Sequence, residues 1–184
     1  MLSLTTITSL EQLELVAPFI PQALRLYITA FPTAERRPLK SLFQLLSQAK
    51  IEVLFLLDPS LDELAGFAVI HQLPSVTYIE YLCIAPNRRN SGSGTFLLNS
   101  LHHKYPNLVL EVEPLGTDAY SNKRIAFYKR NGFRLLTTPY LQPPYTPNGS
   151  PIALQLMTTS DLNSNTLTQE IHQYVYNCPN PILA

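Results

Sequence analysis

Cysteine is scarce in this chain: Cys83 and Cys178 are the only two, too few and too far apart for a disulfide framework or a metal knuckle. Such usage fits a reducing cytoplasm, where the protein is expected. Net charge is missing as well, since 13 Lys and Arg balance 13 Asp and Glu. A general nucleic-acid binder or a protein held on an anionic membrane needs a cationic field, so neither partner is expected here. No apolar run approaches the roughly 20 residues that span a bilayer. The opening Met1-Leu2-Ser3-Leu4-Thr5 carries no positive charge, and Glu11 and Glu14 follow soon after, so no secretory signal is expected. Four histidines without an i, i+4 spacing leave no metal site, and His102-His103 reads as a helix surface.

What is present is a globular pattern. Hydrophobic residues make up 46% of the 184 and interleave with polar ones, which suits one domain spanning 1–184 with a substantial core. After an opening strand, Pro21 starts a helix through Leu24, Tyr27, Ile28 and Phe31, stopped by Pro32. Pro38 opens a second, with Leu39, Leu42, Phe43 and Leu46 along one face. The β-prone runs 51–57 and 66–73 form a hairpin across Asp58-Pro59-Ser60-Leu61-Asp62, and 76–85 is a third strand in the series. Further along, the pattern predicts a helix over 96–105, a doubly buried strand over 108–112 and a helix over 121–131. Gly132 is placed as the C-terminal cap of the last of these. Strands at 133–138 and 152–157 and a helix at 166–176 follow, with Pro179 and Pro181 ending regular structure. Residues 139–149, rich in proline and tyrosine, read as a connection: an acceptor wall, a homodimer contact or a rigid loop. An antiparallel half followed by a β-α-β-α half implies a mixed sheet with helices on both faces.

Glycine is sparse too, yet two of the six sit together in Arg88-Arg89-Asn90-Ser91-Gly92-Ser93-Gly94-Thr95, after a strand and before a helix. Such a turn brings unpaired helix-start amides close to a ligand with partial positive charge behind them, and that arrangement binds phosphate. A P-loop would need a lysine after Gly94, and a Rossmann fingerprint a third glycine where Leu97 stands. The remaining pattern is Arg/Gln-x-x-Gly-x-Gly/Ala, met by Arg89 to Gly94.

A second element lies downstream in Ile125-Ala126-Phe127-Tyr128-Lys129-Arg130-Asn131-Gly132-Phe133. Together with Leu82-Cys83-Ile84-Ala85-Pro86 ahead of the arginines, these motifs resemble the GNAT superfamily of acetyl-CoA-dependent N-acetyltransferases. The resemblance runs from about Tyr78 to Phe133. It implies an α/β fold with a mixed, centrally splayed β-sheet, helices on both faces, and acetyl-CoA as acetyl donor. Backbone groups of Leu82, Cys83 and Ile84 would pair with the pantetheine arm as an added strand. Arg89 and the amides of Asn90, Ser91, Gly92, Ser93, Gly94 and Thr95 would hold the pyrophosphate. Asn122 would contact the cofactor beyond the pantetheine, although it precedes Tyr128 by six residues where many members have seven. Tyr128 would stand beside the sulfur and protonate it as it leaves.

Acetylating an amine also requires removal of a proton, because an alkylamine titrates near ~10.4. Glu80 and Glu111, each in an apolar strand, are the candidates, Glu80 the first choice and either acting directly or through a water, and each has an ion-pair reading beside the catalytic one. Cys83 as an acetyl carrier is a further route, beside its reading as a small core residue. The expected activity is acetyl transfer by direct attack on acetyl-CoA in a ternary complex, with a small-molecule amine as acceptor. A non-catalytic module that binds or senses CoA, and a nucleotide binder using the same loop, remain open at the level of sequence.

Overall fold

Proline placement decides where the first two helices begin. Pro21 sits in the first turn of α1 (Ile20–Ala30), where its missing N–H costs nothing, and Phe31 leaves the helix in an extended conformation before Pro32. Pro38 precedes α2 (Leu39–Ser47) in the same way. The structure, a computed structural model, describes residues 1–117 and 119–178; Pro179 and Pro181 lie outside the described residues. Its contacts divide the described residues into two compact units, 1–71 with 80–100, and 72–79 with 101–117 and 119–178.

In the first unit, β1 (Ser3–Ile7) runs antiparallel to β2 (Glu52–Asp58), which pairs antiparallel with β3 (Glu63–Gln72) in the expected hairpin. β4 (Thr77–Ile84) contributes its second half. Gly66 on β3 is forced by this packing, because a Cβ there would stand 2.5 Å from the Cys83 carbonyl oxygen. The core gathers Leu26 and Tyr27 of α1 and Leu46 of α2 against Phe55, Phe67 and Val69. Ile28 and Phe43, expected on the buried faces of their helices, are exposed instead. Residues Glu11–Phe19 form a 3-10 segment that the sequence pattern did not indicate, with only Val16 buried.

In the second unit, the first half of β4 lies parallel to β5 (Leu108–Val112), and β5 lies antiparallel to β8 (Ile152–Thr158). Among the described residues the β4–β5 ladder has three pairs and ends at Ile79↔Leu110, while both strands run on. β8 also carries β6 (Arg134–Leu135) and β7 (Tyr140–Gln142). β7 corrects the reading of 139–149 as a plain connection. It is a three-residue edge strand, and Pro143-Pro144 directly after it is tolerated because an edge strand can stop pairing there.

α3 (Ser93–Lys104) begins in the first unit and ends in the second. α4 (Ala119–Arg130) ends as the Asn131-Gly132-Phe133 spacing requires. Gly132 is left-handed at φ +88°, its N–H meets the Lys129 carbonyl at 3.2 Å, and the Phe133 N–H meets the Tyr128 carbonyl at 3.1 Å. The Phe133 ring then packs on Tyr128 with centroids 5.5 Å apart, completing a Schellman cap. The chain finishes in α5 (Ser164–Glu170), capped by the Asn163 side chain on the Thr166 N–H at 3.0 Å, and widens to a π-type turn over Ile171–Val175. Eight strands and five α-helices among the described residues make a mixed α/β fold.

Candidate active site

The glycine-bearing loop turns left-handed twice at the mouth of a helix. Asn90 (φ +61°) and Gly92 (φ +85°) both adopt the left-handed conformation around Ser91, and α3 starts at once with Ser93. Alternation of this kind turns successive N–H groups to one side, and the first amides of a helix have no intrahelical acceptor. The Ser91 hydroxyl donates to the Arg88 carbonyl at 2.7 Å and lies 2.9 Å from the Ser93 hydroxyl, which knits the turn. Arg88 is structural: its guanidinium reaches Asp58 at 2.8 Å and Glu63 at 3.2 Å. The Ser60 hydroxyl, its amide and Arg88 hold the Asp58 carboxyl below its ordinary range. Arg89 is exposed and folds back so that its Nε donates to the Ile84 carbonyl at 3.3 Å.

Just upstream, β4 alternates. Tyr81 and Cys83 turn into the apolar core, while Leu82 and Ile84 are half-buried on the other face. Cys83 thus stands among core side chains. The Glu80 side chain has no exposed surface, with Arg37 Nε 2.8 Å from one oxygen and His71 Nε2 2.7 Å from the other. Burial alone would push its carboxyl up. The charges and hydrogen bonds of His71 and Arg37 outweigh burial and hold it at about 2. A direct route from this carboxylate to an incoming amine is closed in this geometry, and what Glu80 exposes is backbone.

The same cluster ties down the connection between α1 and α2. The Arg37 N–H donates to the Tyr81 hydroxyl at 2.8 Å, that hydroxyl donates to the Glu35 carbonyl at 3.1 Å, and the Tyr27 hydroxyl donates to the Arg37 carbonyl at 2.8 Å. Burial pushes the Tyr27 hydroxyl up to about 12, the Tyr81 hydrogen bond opposing.

In the second unit, Glu111 of β5 is half-buried and accepts from the hydroxyls of Tyr140 and Tyr176. Burial, then the charge and hydrogen bond of Glu111, drive the Tyr140 hydroxyl well above its ordinary range. Tyr128 lies on α4 with 7% of its surface exposed, its ring packed between Phe127 and Phe133. Asn122, at an exposed position of the same helix, accepts from the Gly116 N–H at 2.9 Å and so braces the loop ahead of α4.

The profile of the Acetyltransferase (GNAT) family matches residues 20–133, more than half of the chain. The chain belongs to the GNAT acetyltransferase family. Solved structures agree on the fold. A GNAT-family protein from Bacteroides thetaiotaomicron is 25% identical and superposes with a TM-score of 0.81 over 95% of this chain and 98% of that one. The Escherichia coli ribosomal-protein-S18-alanine N-acetyltransferase is 20% identical, with a TM-score of 0.56 over 90% and 98%. Arabidopsis thaliana NAA60, solved with acetyl-CoA, is 18% identical, with a TM-score of 0.59 over 86% and 98%. No curated protein matches in the sequence comparison.

This acetyltransferase therefore carries its expected loop residues together at one strand-to-helix junction of the first unit, and Glu111, Asn122 and Tyr128 in the second. Sequence reasoning missed Arg37 and His71. A signal existed for His71, a second polar residue inside an apolar strand run, as Glu80 is; Arg37 lay in a connection with nothing to mark it. It also missed that Tyr140 and Tyr176 converge on Glu111. Among the described residues no group of His, Cys, Asp and Glu is arranged to hold a metal ion, and no helix is long and apolar enough to cross a membrane.

Proposed function

We propose that this GNAT enzyme transfers the acetyl group of acetyl-CoA to a small-molecule amine by direct attack in a ternary complex. The observation that carries the reading is the pair of left-handed residues, Asn90 and Gly92, at the mouth of α3. With Arg89 exposed beside them, they fit a diphosphate. Acetyl-CoA supplies the activated acetyl group. The backbone of β4 at Leu82 to Ile84 would take the pantetheine arm as an added strand and offer an amide to the carbonyl oxygen as it becomes an oxyanion. Asn122 would contact the cofactor beyond that arm.

Of the two carboxylates, Glu111 is the base in this reading, because Glu80 is enclosed by Arg37 and His71. Glu111 takes the ammonium proton through a water, the amine attacks the thioester carbon, and the carbon–sulfur bond breaks as the nitrogen releases its second proton to solvent. Tyr128 gives its hydroxyl proton to the departing sulfur and regains one from solvent. The core position of Cys83 favours this direct route over an acetyl-cysteine intermediate. A carboxylate met by phenol hydroxyls offers oxygen acceptors to the ammonium group of an acceptor. Cytoplasmic residence belongs to the same reading, supported by the low cysteine content, Cys83 and Cys178 alone.

The test is release of free CoA thiol from acetyl-CoA in the presence of a panel of small primary amines and of peptides with free N-termini. Turnover confined to the small amines is the expected result, and turnover confined to the peptides rejects the acceptor class. Thermal protection by acetyl-CoA at a hundred times its Kd should approach about 2.7 kcal/mol. Equal protection by ATP or NAD rejects the reading of the loop.

A further inference from the structure

Three tyrosines near Glu111 lie beyond residue 133, where the family match stops. Tyr140 stands on β7, Tyr145 in the loop after it, and Tyr176 just past the π-type turn that ends the C-terminal helix. The Tyr140 hydroxyl donates to one Glu111 oxygen. The Tyr176 hydroxyl lies 3.3 Å and 3.2 Å from the two Glu111 oxygens and 3.2 Å from each of the Tyr78 and Tyr145 hydroxyls. A phenol has a single proton to donate. If Tyr176 spends it on the carboxylate, Tyr78 and Tyr145 can both donate to Tyr176, and the four hydroxyls point their protons toward one negative charge.

The backbone is organised to deliver Tyr176 to this spot. The 3.4 Å contact from the Tyr176 N–H to the Ile171 carbonyl spans five residues, so the helix widens just before it. His172, fully buried, reaches the Leu141 carbonyl at 2.9 Å and pins the widened turn to β7. Its ring lies 5.3 Å from that of Tyr140 and 6.4 Å from that of Tyr176.

We infer that Tyr176 and Tyr140 are positioning residues that keep Glu111 ionised and aimed, supplied from the segment after the family match. Hydrogen bonds to the charged form of a carboxyl favour that form. The charged and titratable groups facing Glu111 are consistent with this. Tyr140 from β7 and Tyr176 from the C-terminal helix meet it directly, and Tyr78 from β4, Tyr145 and His172 stand behind them. On β5 itself the neighbouring acid, Glu113, pairs with Arg124 of α4, and the residue opposite Glu111 on β8 is Leu156. The inference rests on Glu111 as the base only for its catalytic consequence, not for its titration.

The experiment is a carbon-13 NMR titration of the Glu111 carboxyl in the whole protein, beside a pH profile of kcat/KM. Tyr176→Phe and Tyr140→Phe keep the ring and remove one donor each. Each is expected to raise the Glu111 midpoint by about one pH unit, a tenfold change in proton concentration. Tyr145→Phe, acting one bond further away, should shift it less and guards against a folding defect in the buried variants. An unmoved Glu111 midpoint in both direct variants overturns the inference. A midpoint that moves while the acid limb of kcat/KM stays still upholds it and removes Glu111 as the base, so the two failures are distinguishable.

Discussion

Arg37 and Glu80 meet at 2.8 Å across 43 residues of sequence, and the carboxylate they share with His71 has no exposed surface. A buried charge of this kind is stable only while its partners stay, and removing one partner costs about 3–5 kcal/mol. Arg37→Met and Glu80→Gln should therefore each destabilise the protein by about that much in urea unfolding. The double variant should cost less than the sum, since the second change removes a charge already stranded by the first. The pH dependence follows from the direction of the shift. The folded Glu80 sits at about 2, below the ordinary glutamate value of ~4.3. Its contribution is complete above pH ~4.3 and is lost as pH falls towards 2, so Glu80→Gln should flatten the acid side of the stability profile in that window. An acid limb unchanged by Glu80→Gln would rule out this ion pair as its source.

Gly66 and Gly92 should respond to alanine for opposite reasons. At Gly66 the difficulty is space, because the added methyl would lie 2.5 Å from the Cys83 carbonyl oxygen and 2.8 Å from the Ile84 side chain. β3 and β4 must part to admit it, and overpacking of that order costs about 1–3 kcal/mol. Thermal unfolding of Gly66→Ala reads the loss directly.

At Gly92 there is nothing within 4 Å of a new Cβ, and the difficulty is the backbone at φ +85°. A side chain there costs about 1–2 kcal/mol in the left-handed conformation. Because the turn can relax by abandoning that conformation, the loss should fall on the anion nest rather than on the core. Gly92→Ala is expected to raise the KM for acetyl-CoA roughly tenfold while lowering Tm only slightly. An unchanged KM would mean that the loop does not grip the diphosphate.

Local chemistry was legible in the sequence, and long-range pairing was not. Gly132 could be placed as a left-handed cap from its neighbours alone, and the Pro21 and Pro38 helix starts likewise depend on residues within one turn. β7 escaped because three residues beside two prolines make no periodic signal; it exists only through its ladder with β8. The partners of the two carboxylates escaped for the same reason. Glu80 meets Arg37 43 residues away, and Glu111 meets Tyr140 and Tyr176 at separations of 29 and 65. An apolar strand announces that its carboxylate must be compensated, but the compensating group belongs to the fold. Glu80 and Glu111 therefore looked alike in sequence, although one is clamped by an arginine and a histidine and the other is met by phenols.

Tyr128 provides the sharpest test of the chemistry, because its ring and its hydroxyl have separable duties. The ring packs on Phe127 and Phe133, and the backbone carbonyl closes the Schellman cap by accepting from the Phe133 N–H at 3.1 Å. Phenylalanine preserves both features. Tyr128→Phe should thus fold with nearly the parent Tm and bind acetyl-CoA with nearly the parent affinity. In the proposed mechanism what it removes is the proton donor to the departing sulfur, and general acid catalysis by a positioned side chain is worth about 10²–10⁴ in rate. A fall in kcat of about a hundredfold, with the KM for acetyl-CoA little changed, is the expected outcome. Tyr128→Ala would be a poor substitute, since losing the ring also unseats Phe133 and mixes a folding defect with a chemical one. Full turnover in Tyr128→Phe would move the proton donor elsewhere and leave Tyr128 as a packing residue at the end of α4.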